Sequence, residues 1–596
     1  MHAQKISAAW GIRHELAKFY EKQREADKWL AEIAGKVGKL RVPVDVSDAE
    51  LCDLAEKCAS KAMTLGEFAP GFHVSDPVAL RARLNAYVEG FGIIPPHAMV
   101  ANSPAIARMV CPIWWRRALR RSQARELEAA AIRLGFVHRK AEIYASNATV
   151  ERRGQQRRRN ALNLEAMDAV NIDTGEVLNL AKIAELSVAN PRIRRGELMT
   201  RIGGFELVAR GLGHAAEFIT LTCPSKFHAQ RVAEGGAVEV NPKHDGSTPR
   251  GAQKYLSGVW ARIRAQLARL DVRPYGFRIA EPHHDGCPHW HILLFVAAHQ
   301  VEVLRGSIRD HALRVDGDEP GAAKNRVEFV AIDPARGSAA GYVAKYVSKN
   351  IEGGGYQVQG DLEGVERAEI TPAHRVEAWA STWGIRQFQQ VGGPPVGVWR
   401  ELRRLPESDG YTVTIETARA AADCGTLKGH DELGAAGNWR RYVEVQGGPL
   451  VKRDELRVTL AKTQSGQRWD AVRGVHPSPL SRYGEEAAGA VYGVFDALAG
   501  RSFDSDRGRW EIKRRTVDVG AGFWGSRTRG NNCTQGEEIA GNDAGKEGCF
   551  SEYSGARRTQ KPDGEDVAGL RGFDPETTIG NYRKSRACSR TRGILD

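Results

Sequence analysis

The sequence predicts an α+β protein: a central antiparallel-sheet domain with helices, preceded by a helical region and followed by a partly disordered C-terminal tail. Three observations predict it. Residues 10–160 place apolar side chains at helical spacing among charges, as in Trp10 to Gly35 and Ala124 to Leu134. Near residue 215 the texture changes to short β-branched and apolar runs broken by Pro, Asp and Gly. From about residue 520 the chain is rich in Gly, Asn, Arg and Ser (GSRTRGNNCTQGEEIAGNDAGKEG), too polar to bury a core.

In chain order, residues 1–205 form a mostly helical, basic region suited to binding DNA or a partner. Within it, CPIWWRRALRR sets Trp114 and Trp115 before Arg116, Arg117, Arg120 and Arg121. Arginines at i and i+4 share a helix face, so this segment can grip a phosphate backbone beside aromatic rings. The alternative is a solvated helix whose tryptophans enter a core. Further basic runs follow at Arg152 to Arg159 and in PRIRRGELMTR from Pro191.

The sheet domain is expected over 206–405. EFITLTCPS alternates Phe218, Thr220 and Thr222 with Ile219 and Leu221 and breaks at Pro224. GAQKYLSGVWARIRAQLARL is helical in spacing. YGFRIAEPHHDGCPHWHILLFV then reads as strand Tyr275 to Glu281, a turn, and strand His289 to Val296, with VEFVAID from Val327 as a third strand and a helix after it. Residues 406–518 form a small accessory region, in which 483–500 reads as an Ala-rich helix, and 519–596 is the disordered tail.

Length and composition agree. Single cores stop growing at roughly 250–300 residues, so 596 residues imply several units. With 86 Lys+Arg against 73 Asp+Glu, the formal charge of +13 favours a polyanion such as nucleic acid as partner. The nine cysteines are scattered without a CxxC pair, which argues against a disulfide framework or zinc ribbon and fits a reducing cytoplasm. No apolar run approaches the length of a membrane span, the first residues lack a secretory h-region, and no GxxxxGK phosphate loop suggests an ATP-driven motor.

Two motifs carry chemistry. On a strand, His289 and His291 point one way and Trp290 the other. Two imidazoles side by side can supply two ligands of a divalent ion and leave positions open. A hairpin centred near Asp285 and Gly286 puts Glu281 opposite the pair as third ligand, with His283, His284 and Asp285 competing for that role. A mixed nitrogen and oxygen set suits Mg²⁺ or Mn²⁺ as well as Zn²⁺. Cys287 with His289 allows a structural zinc site, though the usual Cys pair is missing. In GYVAKYVSKN, Tyr342 and Tyr346 lie one helical turn apart, and Lys349 sits three residues beyond Tyr346. A tyrosine oxygen attacks a phosphodiester when its proton is shed and the phosphate charge is neutralised, here by Lys349 and a metal ion. The alternative is a pair of amphipathic tyrosines packing a helix on the sheet.

The order FITLTCPS, PHWHILLF, YVAKYVSK resembles the HUH endonucleases, and most closely the two-tyrosine bacteriophage replication gene A protein family. EPHHDGCPHWH, the stretch Val376 to Arg404, CPIWWRRALRR and NPRIRRGELM match that family too, so the resemblance runs over about 100–405. It implies a rolling-circle initiator. One tyrosine attacks an origin phosphate, leaving a 5′-phosphotyrosyl link and a free 3′-OH, and the second attacks the regenerated origin after one round. Carried over, His289 and His291 match the metal-binding histidines, Tyr342 and Tyr346 the nucleophiles, and Lys349 the lysine after them. The implied cofactor is Mg²⁺ or Mn²⁺. The implied partners are single-stranded or melted origin DNA, a host helicase and a polymerase, in the cytoplasm of a bacterial host cell. Trp379, Trp383, Phe388 and Trp399 offer planes for bases, and Arg375, Arg386 and Arg400 offer charge for phosphates. A relaxase or transposase using the same site, or a non-catalytic DNA-binding protein, are the competing readings.

Overall fold

The alternation of EFITLTCPS and PHWHILLFV is realised as neighbouring strands of one five-stranded sheet. The computed structural model describes residues 46–67, 76–233, 235–351, 371–422, 434–470 and 474–515, with positions 28 and 31. The expected tail 519–596 and most of the first 45 residues lie outside them. The architecture is mixed helix and antiparallel sheet. The described parts of Met1–Leu127 and Pro479–Ala487 form one compact unit, and those of Glu128–Ser478 and Ala488–Arg514 a second. No helix among the described residues is long and apolar enough to cross a membrane.

The first unit is helical, with Asp48–Glu67, Pro77–Glu89, Asn102–Met109 and part of Pro112–Arg133. Asp76 caps the second of these, its carboxylate accepting from the Val78 and Ala79 amides. Trp115 is fully buried at the centre, where its Nε1 donates to the Met109 carbonyl at 2.6 Å and Tyr87 and Phe91 meet its ring edge-on.

In the second unit the sheet strands are β1 (His214–Leu221), β2 (Tyr275–Pro282), β3 (Pro288–Ala297), β4 (Val327–Ala331) and β5 (Phe388–Val391). Their spatial order is β4-β1-β3-β2-β5, antiparallel throughout. Strand alternation splits the apolar side chains between two cores. Ile219, Leu221, Trp290, Ile292, Leu294 and Val296 meet helices α2 (Pro249–Arg269) and α3 (Val301–Ala312). Phe218, Phe277, Ile279, Leu293 and Phe295 meet α1 (Pro191–Leu212) and α4 (Ala339–Ile351). Each large apolar side chain covered this way stabilises by about 1.5–3 kcal/mol, so β3 is clamped from both faces and makes a rigid platform.

Local signals explain the helix limits. Asn190 and Thr248 cap α1 and α2 just before Pro191 and Pro249, and α1 ends at Gly213 in the left-handed region. In β2, Gly276 (φ 150°) passes so close to β3 that a Cβ there would sit 2.1 Å from the Leu293 carbonyl oxygen. We therefore expect Gly276→Ala to destabilise the protein by at least about 2 kcal/mol, read as a lowered midpoint in urea; an unchanged midpoint would contradict this packing.

Residues after 405 pack on the same core as α1: Trp439 of helix Gly434–Val445 lies against Gly204, and Val458, Val494 and Phe503 join the cluster. The expected helix over 483–500 is not formed. Val491–Asp496 is instead a strand between Val458–Lys462 and Arg501–Asp504. There Gly493 runs against the Phe503 carbonyl, and cross-strand pairing overrides the helical propensity of the alanines before it. Strand Trp510–Arg514 pairs with Met167–Asn171, far earlier in the chain.

Candidate active site

The hairpin register sets the site. Glu281 on β2 stands directly opposite His289 on β3, and Thr220 on β1 stands opposite His291. Alternation sends Trp290 to the other face, where its Nε1 donates to Gln253 and the Arg278 guanidinium lies 4.1 Å from its ring centre. On the near face the His289 and His291 Nε2 atoms are 2.9 Å apart, and a Glu281 carboxylate oxygen is 3.9 Å from His291 Nε2. One donor atom from each of the three residues falls within a 4.8 Å cluster. Donors held by one Zn²⁺, Mg²⁺ or Mn²⁺ sit about 2.0–2.2 Å from it, so atoms separated by 2.9 and 3.9 Å can share an ion. Glu281 is only 1% exposed, a costly place for a carboxylate unless cations face it. Two imidazoles and a buried carboxylate therefore fit a divalent cation.

Thr220 meets His291 from the neighbouring strand. Its Oγ1 lies 3.2 Å from His291 Nδ1. With Nδ1–H donating to the hydroxyl, the Nε2 lone pair faces Glu281, the tautomer a metal ligand needs. We expect Thr220→Val, which keeps the shape and deletes the acceptor, to weaken Mn²⁺ binding about tenfold in calorimetry; unchanged affinity would show that the hydroxyl does not orient the ring.

Of the competing turn residues, His283 stays beside the His pair, while His284 and Asp285 are engaged elsewhere. The His283 ring lies 4.0 Å from that of His289 and 5.0 Å from that of His228, outside the three-residue cluster. His284 stacks on Tyr144. Asp285 accepts from His228 Nδ1 at 3.0 Å and from the Cys287 amide. Burial works to raise the Asp285 carboxyl, but His228 and His283 outweigh it and hold it down to about 2. Trp379 Nε1 donates to the Gly286 carbonyl at 2.8 Å, and the Tyr144 amide to that of His284. Tyr144 holds a left-handed φ of 69° to do so, so the turn is pinned from several elements. Cys287 is buried in the core of the Trp290 face, away from the His pair, which removes the zinc set of Cys287 with His289.

Helix α4 lays Tyr342 and Tyr346 over the same face. Phe218 of β1 meets both, with ring centres 4.7 Å from Tyr342 and 5.4 Å from Tyr346, and stacks on His291 at 5.5 Å. The Tyr346 ring is 4.3 Å from that of His291. Both tyrosines are half-buried. Lys349 lies on α4 one turn further on, and its side chain falls outside the described residues.

The expected DNA contacts are sorted by burial. Arg386 is exposed just before β5 and Arg117 is exposed on its helix, while Arg116 is half-buried. Arg120 is paired within the protein, Asp48 accepting from its guanidinium through two bonds of 2.8 and 2.7 Å. Nor can Trp383 stack on a base. It is 2% exposed, and its ring faces are spent on the core, as are those of Trp379 and Trp399. Phe218 and Thr220 were missed as site residues although the parity of FITLT sets them on one face. Glu206, whose carboxylate reaches the start of α4, carries no sequence signal at all.

The sheet and its face thus define an α+β protein with a candidate metal cluster beside paired tyrosines. The chain belongs to the bacteriophage replication gene A protein family, whose profile matches residues 45–354. It is 42% identical over 450 residues to "Replication gene A protein" of Escherichia phage 186, covering 73% of this chain and 60% of that one. It is 39% identical over 373 residues to the protein of the same name from Escherichia phage P2, covering 61% and 47%. A "Probable replication endonuclease from prophage-like region 2" of Salmonella typhi is 32% identical over 518 residues, covering 84% and 60%. The chain therefore spans about half to 60% of the length of these relatives. No solved structure matches it significantly.

Proposed function

We propose that the chain is an HUH-type DNA endonuclease that nicks one strand at a phage or prophage origin through a tyrosine, starts rolling-circle replication and rejoins the displaced strand. The observation that carries this reading is the meeting of two motifs about fifty residues apart in sequence: Tyr346 packs against His291, within the cluster that includes Glu281 and His289. The names of the relatives, two replication gene A proteins and a probable replication endonuclease, point the same way.

A divalent ion held by Glu281, His289 and His291 would polarise the scissile phosphate and stabilise its developing charge. The protein's own groups supply the rest. A tyrosine Oη loses its proton and attacks phosphorus; the bond to O3′ breaks, and O3′ takes up a proton. The product is a 5′-phosphotyrosyl link beside a free 3′-OH. The phosphodiester is exchanged rather than hydrolysed, so the later religation needs no nucleotide hydrolysis. Tyr342 and Tyr346, one turn apart, give a second nucleophile within reach of the same phosphate. Lys349 serves as a charge partner for the phosphate. Exposed Arg117 and Arg386 serve the DNA backbone, and the basic N-terminal region binds duplex or a partner. Polymerase extends the 3′-OH, a host helicase supplies the unpaired strand, and the setting is the bacterial cytoplasm.

The test uses labelled single-stranded oligonucleotides tiled across the phage or prophage DNA, incubated with the full chain and Mg²⁺ or Mn²⁺. A protein–DNA adduct that survives denaturing electrophoresis is expected from one short region. Chelation should abolish it and either metal should restore it. Absence of an adduct from every oligonucleotide, or an adduct indifferent to chelation, would overturn the proposal.

A further inference from the structure

We infer that Glu206 is a positioning residue for the strand-transfer step: its carboxylate anchors the N-terminus of α4 and so fixes where Tyr342 and Tyr346 stand against the histidines. Glu206 lies on α1 and is 8% exposed. Its two oxygens accept from the Ala339 amide at 3.1 Å and the Ala340 amide at 3.0 Å, the first two residues of α4. The next amide, Gly341, donates to Ser338 Oγ, and the Tyr342 amide to the Ser338 carbonyl. The orphan amides of residues 339, 340 and 341 are thus satisfied by one local hydroxyl and one carboxylate from another helix, and the Tyr342 amide makes the first regular intrahelical bond. Among the described acceptors of these amides, the Glu206 carboxylate is the one that comes from outside the helix's own first turn.

The anchor is stiff. Arg210 donates to a Glu206 oxygen at 2.8 Å and orients the carboxylate. Around Glu206, α1 is held in the core by Phe205 against Tyr275, Phe277 and Trp439, and by Gly204 against Trp439. A negative charge at the positive end of a helix makes charge-assisted bonds of the stronger kind. Tyr342 and Tyr346 follow the anchored amide of Ala340 by two and six residues, inside one unbroken helix. A tilt at the anchor is therefore carried to both phenols. Reactions of this kind lose rate steeply when a reacting group is misplaced by about 1 Å.

Glu206→Gln keeps the volume but turns an NH₂ toward donors that need an acceptor. We expect amide exchange over residues 338–347 to quicken about tenfold and single-turnover adduct formation to slow about tenfold. Mn²⁺ and single-strand affinity should stay within about threefold, because Glu281, His289 and His291 sit on the sheet. Glu206→Asp, which keeps both acceptor oxygens, should recover most of the rate. Should Glu206→Gln lack a cooperative melt, Ala339→Pro carries the same test, since proline is tolerated at the first helical position and deletes one donor. An adduct rate within about threefold of wild type, or a rate loss matched by equal loss of Mn²⁺ affinity, would overturn the inference. The inference rests on the nuclease reading, but the exchange measurement needs no DNA. A wild-type chain that forms no adduct sinks the nuclease reading, whereas unchanged exchange in Glu206→Gln sinks the anchor.

Discussion

Replacing both hydroxyls of α4, as Tyr342→Phe with Tyr346→Phe, is expected to remove the covalent protein–DNA adduct, a fall of at least about a thousandfold in its rate of formation. The change is small for the fold. Both rings keep their contacts with Phe218, and Tyr346→Phe keeps the ring against His291. Only the oxygens are lost, so Mn²⁺ affinity, thermal midpoint and single-strand affinity should hold. Each single substitution leaves one nucleophile. It should still cut once but fail to transfer the regenerated origin, so linear rather than closed circular strands accumulate. Persistence of the adduct in the double variant would show that the nucleophile lies elsewhere.

His291→Ala is expected to lower adduct formation by at least about a hundredfold. The ring does three things at once: its Nε2 faces His289 and Glu281, its Nδ1 meets Thr220, and it packs against both Phe218 and Tyr346, which also touch each other. DNA binding draws mainly on basic groups that meet phosphates, so its salt dependence should stay near that of wild type. Equal loss of cleavage and of DNA binding would mean that His291 supports the fold rather than the metal. Melting His291→Ala with and without Mn²⁺ separates the two, since a cation bound to the native state raises the midpoint and a lost site does not.

Much of this site was legible because strand geometry is strict. A period of two fixes which way His289, Trp290 and His291 point, and a short turn fixes Glu281 opposite His289; both hold. The helix with Tyr342 and Tyr346 followed from spacing, but its seat over the His face rests on Phe218, Val343 and Val347 meeting the sheet core, a tertiary fact. Long-range partners were illegible. Arg120 looked like a phosphate ligand because Asp48, seventy-two residues earlier, gives no local sign of pairing with it. Trp383 looked like a base platform because sequence cannot tell a buried indole from an exposed one. The alanines before Val491 suggested a helix because propensity is local, whereas the strand there is made by Val458–Lys462 and Arg501–Asp504. Glu206 was hidden for the same reason: its amide partners lie 133 and 134 residues away.

The measurement that bears most directly on the central claim is identification of the DNA-linked residue. Wild-type chain is reacted with an origin oligonucleotide and Mn²⁺, digested with protease and nuclease, and the nucleotide-bearing peptide is sequenced by mass spectrometry. A 5′-phosphotyrosyl link on Tyr342 or Tyr346 is expected, with both forms present when the reaction is run through repeated transfer. A link on any other residue, or cleaved DNA with no linked peptide, would contradict the claim.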